Sequence, residues 1–187
     1  MLFKKLHKAK EYDLDTAVSE LNQGSVAAFN FLYEKYQNKL YWFCLRMLGD
    51  SETAKDAFQE TFVKVYEKRK DFRGENFNAW LFTIARHTCL NIIRSRKEFD
   101  ELEESTQITD SLRESDFGVK ECIDAALLKL PVSYREALIL REYEDCSYQE
   151  IADILQIELA NAKVRVHRAR TLLRKMLTPL AKELYEL

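Results

Sequence analysis

Residues 147–176 read SYQEIADILQIELANAKVRVHRARTLLRKM, and two helical patterns lie within them, separated by a tight connection. Ser147 and Glu150 stand at the S-x-x-E spacing of a capping box, in which each side chain satisfies a free backbone donor and so starts a helix. That helix buries Ile151, Ala152, Ile154 and Leu155. A connection around residues 156–158 follows, and a longer helix begins near Leu159. On this second helix Ala162, Val166, Ala169, Leu173 and Met176 recur at alternating steps of four and three, one apolar stripe. Residues 163–175 hold six Lys or Arg and no acid, with Lys163, His167, Arg170 and Arg174 along one face and Val164, Arg168 and Lys175 beside them. A helix-turn-helix lays its second helix in the DNA major groove. A solvated basic face on a helical hairpin is the competing reading, and charge and spacing together favour DNA.

Working outward, 187 residues with only 4 Gly and 2 Pro point to a mostly helical chain of one medium or two small domains. No apolar run is long enough to span a bilayer. The first ten residues, MLFKKLHKAK, are basic without a signal-peptide core and read as a frayed tail rather than a membrane-surface anchor. Cys44, Cys89, Cys122 and Cys146 are widely separated and His7, His87 and His167 do not cluster with them, so buried thiols in a reduced cytoplasmic protein are expected, with no metal and no cofactor. The chain has no Gly-rich phosphate loop and no nucleophile motif, which argues against an enzyme.

The net charge of −2 conceals a strong segregation. Residues 62–97 carry nine bases against three acids, and residues 98–124 carry ten acids against two bases. Two basic blocks therefore flank an acidic one. Ahead of the first block, Val26, Phe29, Tyr33, Tyr36, Leu40, Phe43 and Met47 form a long amphipathic helix, with Gly49 as its stop and Asp50 or Ser51 as the next cap. Ala54, Ala57, Phe58, Thr61, Phe62 and Val65 line a second helix whose other face shows Asp56, Gln59, Glu60 and Lys64. After the loop at residues 71–76, Trp80, Leu81, Ile84, Ala85, Thr88 and Ile92 face inward on a third helix, leaving Arg86, His87, Asn91 and Arg94 outside. Later, Pro131 ends a helix that begins near Glu121, and Ser133 with Glu136 forms a second S-x-x-E, predicting a second capping box.

Two of these segments carry a resemblance. DAFQETFVKVYEKRKDFRGENFNAWLFTIARHTCLNIIRSRK (residues 56–97) resembles region two of bacterial sigma factors, and LPVSYREALILREYEDCSYQEIADILQIELANAKVRVHRARTLLR (residues 130–174) is similar to their region four. With no third folded domain between them, the resemblance is to the extracytoplasmic-function group. It implies an all-α chain of two small helical domains joined by an acidic linker. The parts are a basic tail (1–11), region two (12–97), the linker (98–120), region four (121–180) and a C-terminal tail (181–187).

It further implies a non-enzymatic initiation subunit with core RNA polymerase and promoter DNA as partners, an anti-sigma factor as a further one, and no small-molecule substrate. By position, Asp56, Gln59, Glu60 and Phe62 match the D-x-x-Q-E-x-F pattern that engages the polymerase. Phe72, Arg73, Arg86, His87, Asn91 and Arg94 match or adjoin the minus-ten contacts, a flipped base needing an aromatic or polar pocket beside phosphate-binding cations. Ser147, Lys163, Val164, His167, Arg168 and Arg170 match the minus-thirty-five region. His87 stands where many relatives have Asn, Gln156 where they have a turn Gly, and Val164 where they often have Ser. The family routes the linker through the polymerase cleft, and on composition alone a solubilising tether fits it equally well. The rival to this reading is a free-standing helix-turn-helix repressor. On the favoured reading the tether holds the two DNA-binding units apart.

Overall fold

The computed structural model describes residues 13–74, 76–102 and 118–185. The basic tail, most of the acidic linker and the last two residues lie outside them. The described chain runs α1 (Leu14–Asn22), α2 (Val26–Leu48), α3 (Ser51–Glu67), a 3-10 turn (Arg69–Asp71), α4 (Phe77–Leu102), α5 (Val119–Lys129), α6 (Val132–Glu142), α7 (Tyr148–Leu155) and α8 (Leu159–Tyr185). Most boundaries have a local chemical cause. The side chains of Asp13, Ser25 and Asp50 accept from backbone amides at the starts of α1, α2 and α3. Gly49 ends α2 at φ 77°, a left-handed cap that returns its N–H to Leu45 O. A Cβ there would also lie 2.6 Å from Leu128 Cδ1 on α5, a side chain that would have to shift, while the positive φ is what calls for glycine.

The first unit is α1 to α4. Phe43 of α2 meets Phe82 of α4 edge-on at 5.2 Å in its centre, and Phe29, Tyr33, Phe58, Phe62 and Tyr66 form an aromatic cluster between α2 and α3. Helix α1 adds a fourth element to the three expected, burying Ala17 and Leu21 against the unit. The second unit is α5 to α8, cored by Leu127, Leu138, Leu140, Ile151, Ile154 and the Ala162, Val166, Ala169 stripe. Cys44, Cys89 and Cys146 are buried and Cys122 half-buried, and burial pushes the Cys146 thiol up to about 12. Protonated, buried thiols are poor nucleophiles and poor metal ligands.

Two expectations are corrected. The Ser133–Glu136 capping box does not form: α6 starts earlier, after Pro131, with no side-chain cap. Pro131 needs no amide partner, and Glu136 instead ion-pairs with Arg86 across the molecule. Helix α4 continues to Leu102 and α5 begins at Val119, so helix reaches into both ends of the acidic segment 98–120. Finally, the two units are not held apart: α2 packs on α5 and α6, α4 packs on α7, and their buried side chains belong to one hydrophobic core.

The capping box at Ser147 does form in full, with Ser147 Oγ accepting from Glu150 N at 3.1 Å and Ser147 N donating to Glu150 Oε2 at 2.8 Å. Gln156 takes the turn geometry that glycine usually provides, at φ 56° and ψ 49°. A side chain there is strained, so Gln156→Gly is expected to stabilise the chain by about 0.5–1 kcal/mol, the relief exceeding glycine's entropy cost. Thermal unfolding of the two proteins checks the sign.

Candidate polymerase and promoter interfaces

On α3 the carboxylates and amide of Asp56, Glu60 and Gln59 are exposed, with Lys64 ion-paired to Glu60 one turn along. Lys64 Nζ also reaches Thr88 Oγ1 of α4 at 3.2 Å, which fixes the outer face of α3 against the neighbouring helix. Phe62 is different. It is only 4% exposed, its ring 4.7 Å from that of Tyr33 and 5.3 Å from that of Phe58. Phe62 is therefore a core residue in this structure and does not itself offer a face to a partner.

The expected minus-ten residues divide in the same way. Phe72 is buried, packed 5.8 Å from Phe77 and 5.2 Å from Trp80, so the three rings anchor the loop before α4. Arg73, His87, Asn91 and Arg94 are exposed. The His87 imidazole is held below its ordinary 6.5, chiefly by partial burial and then by the cations Arg86, Lys68 and Arg94, with Glu136 opposing. A neutral imidazole presents one donor and one acceptor, which suits hydrogen bonding to a base edge. Arg96 is tied back to Asp50, Thr53 and Leu48 O at the α2–α3 junction. Arg86 is mostly turned in from solvent, its side chain 14% exposed: its Nε donates to Glu136 Oε2 at 2.8 Å and its Nη2 to Oε1 at 3.4 Å.

On α8, Lys163, Val164, His167 and Arg168 are exposed, and the apolar stripe beneath them is fully buried as far as Ala169. The tight turn at Gln156 sets α8 against α7 and leaves its N-terminal half facing outward. Arg168 Nη1 lies 3.3 Å from Tyr134 Oη. Arg170 is engaged by Glu142 of α6, with Nε 2.8 Å from Oε1, and the Ser147 hydroxyl is engaged by its cap. Outward-facing cations above a rigid, capped hairpin form a surface suited to a phosphate backbone and to base edges in one groove.

Sequence reasoning passed over the charged groups between the units. Arg135 donates to Met47 O of α2 at 2.7 Å and to Leu130 O at 3.2 Å, and it also reaches Leu128 O. Arg46 of α2 stacks 3.8 Å over the Tyr143 ring and lies 3.7 Å from Asp124. Asn76 donates to Glu150 at 2.7 Å. The available signal was the Arg135–Glu136 pair embedded in the otherwise buried run of α6.

Comparison with known proteins decides the family. The family models for Sigma-70 region 2 and Sigma-70 region 4 match residues 32–99 and 120–173. The RNA polymerase sigma-H factor of Pseudomonas aeruginosa is 32% identical over 182 residues, covering 89% of this chain and 94% of that protein. The ECF RNA polymerase sigma factor SigW of Bacillus subtilis is 31% identical, covering 87% and 96%. The chain is an RNA polymerase sigma factor of the extracytoplasmic-function group. Among solved structures, this sigma factor is similar to RpoE of Bartonella quintana, crystallised with the anti-sigma factor NepR. The TM-score is 0.72 at 28% identity, over 82% of this chain and 98% of that one. As a sigma factor it binds core RNA polymerase, recognises the minus-thirty-five and minus-ten promoter elements, and promotes the melting that starts transcription. Among the described residues no helix of this sigma factor is long and apolar enough to cross a membrane, and no cluster of His, Cys, Asp and Glu could hold a metal ion.

Proposed function

We propose that residues 12–97 and 121–180 of this sigma factor divide its work, the first binding polymerase and the minus-ten element, the second the minus-thirty-five element. On this reading Asp56, Gln59 and Glu60 meet the polymerase, with Phe62 shaping the helix beneath them. Arg73, Arg86, His87, Asn91 and Arg94 hold the opened strand, with Phe72 bracing the loop. Lys163, Val164, His167 and Arg168 read the duplex, flanked by Arg170 and by the Ser147 cap. The observation that carries the reading is the outward face of α8, cationic and exposed over a buried apolar stripe. The protein is a cytoplasmic, non-enzymatic subunit. The complex of the related Bartonella protein with NepR supports an anti-sigma factor as a further partner.

The purified chain mixed with core polymerase is expected to initiate at discrete sites on genomic promoter fragments. Absence of both core binding and specific initiation would overturn the reading. Within it, Arg168→Ala is expected to cost the holoenzyme about 1–3 kcal/mol of promoter affinity, roughly 5- to 150-fold. Competition filter binding measures this, and an unchanged affinity removes Arg168 from the interface.

A further inference from the structure

Ala160 and Val164 are apolar side chains left in solvent on the strongly basic helix α8, Val164 being 44% exposed. Val164 stands two residues from both Ala162 and Val166, and Ala160 stands two residues before Ala162. At helical spacing this points both away from the buried stripe, so they form the outermost ridge of the helix. The basic side chains lie beside the ridge, Lys163 and His167 along one edge and Arg168 along the other. A helix seated in the major groove puts its outermost side chains against the base edges and its flanking cations against the phosphates. What this ridge offers a base is methyl groups. A serine at position 164 could donate to or accept from several bases, whereas valine can do neither. Thymine alone presents a methyl group in the major groove.

Asn161 is the neighbour of Val164 one turn back on the helix surface. Its amide is exposed, and no described residue engages it. It borders a shallow cavity lined also by Asp153, Gln156 and Glu158. The two carboxylates there repel a phosphate backbone, so the amide is better placed for a neutral base edge than for a phosphate. A carboxamide pairs with adenine through N6 and N7.

We propose that Ala160, Asn161 and Val164 determine base identity in the minus-thirty-five element, the methyl ridge selecting a thymine and Asn161 an adenine beside it. The inference rests on the assignment of α8 to the minus-thirty-five duplex and supplies the bases that this assignment leaves open. Side chains three apart on a helix are about 5–6 Å apart and base pairs rise about 3.4 Å, so the two contacts fall on the same or adjoining pairs. The cations on either side supply affinity common to all sequences. The two uncharged contacts discriminate among them.

The test uses holoenzyme assembled from the full chain and a pool of promoter fragments randomised across the minus-thirty-five window, with the bound molecules sequenced. Wild type is expected to enrich windows holding a thymine and an adenine at the same or adjoining base pairs. Val164→Ser is expected to lose the thymine preference and keep the adenine one, and Asn161→Ala to do the reverse. On the enriched duplex, deoxyuridine in place of that thymidine deletes only the methyl group. It is expected to weaken wild-type binding about three- to fivefold and to leave Val164→Ser unmoved. Replacing the adenine by 7-deazaadenine removes the N7 acceptor, and is expected to weaken wild type roughly fivefold or more while leaving Asn161→Ala unmoved. Enrichment of a window without the A·T step, wild-type binding indifferent to either analogue, or variants that still respond to them would overturn the proposal. A pool from which wild type enriches no minus-thirty-five window would overturn the underlying assignment of α8 instead.

Discussion

Arg135→Met is expected to lower the stability of the chain by about 3–5 kcal/mol, the cost of orphaning buried acceptors once served by a charged donor. The side chain is nearly fully buried and donates to three carbonyls, Met47 O on α2 and Leu128 O and Leu130 O before α6. Burial lowers the guanidinium from its ordinary value, which is so high that the group remains a cation. Methionine fills similar space and offers no donor, so the loss reads out the hydrogen bonds rather than a cavity. For a chain of this length the unfolding midpoint should fall on the order of 10 °C. Arg135→Lys should lie between, because a point charge cannot serve three carbonyls in a planar fan. The exposed pair of Arg170 with Glu142 is the control: Arg170→Ala should cost about 0–1 kcal/mol. Equal midpoints for the Arg135 and Arg170 variants would sink the argument.

These contrasts mark what the sequence reveals and what it conceals. The hairpin of α7 and α8 was legible because its determinants are local: a cap whose partners stand three residues apart and an apolar stripe at helical spacing. The stop at Gly49 and the cap at Asp50 were legible for the same reason. The surface positions Lys163, His167 and Arg168 also followed, since the buried stripe fixes which face remains. The apposition of the two units was not legible, because it depends on partners 50 and 88 residues apart, Arg86 with Glu136 and Met47 with Arg135. Local rules even pointed the wrong way at Glu136, where the S-x-x-E spacing suggested a cap and tertiary pairing prevailed. Phe62 shows the converse: a family pattern marks the position, while the aromatic cluster around it decides where the ring goes. Helix α1 escaped because its nine residues bury only Ala17 and Leu21, too little for a periodic signal.

The second large effect is a pH dependence centred on Glu144, where the second unit meets α2. Its side chain is 4% exposed, and Oε2 has no hydrogen-bond partner. Burial raises its carboxyl from an ordinary 4.5 to about 8, with Asp145 adding to the rise and Lys39 and Arg46 of α2 opposing it. Cys146 beside it is a protonated thiol. The folded chain therefore binds a proton at Glu144 that the unfolded chain releases above 4.5. Stability is fully present below that value and falls as pH rises towards about 8, with a slope approaching 1.4 kcal/mol per pH unit. The whole loss is on the order of 3–5 kcal/mol. Asp13, Asp50 and Glu150 are shifted down, so their contributions are lost only in acid, outside this window. His87 is also shifted down and acts with the opposite sign, but equally in wild type and variant. Glu144→Gln keeps the shape and removes the titration. It is expected to flatten the profile between pH 5.5 and 8.5 and to exceed wild type at pH 7 by about 2–3 kcal/mol. Urea unfolding midpoints across that range measure both curves, and parallel profiles would show that Glu144 does not hold the proton.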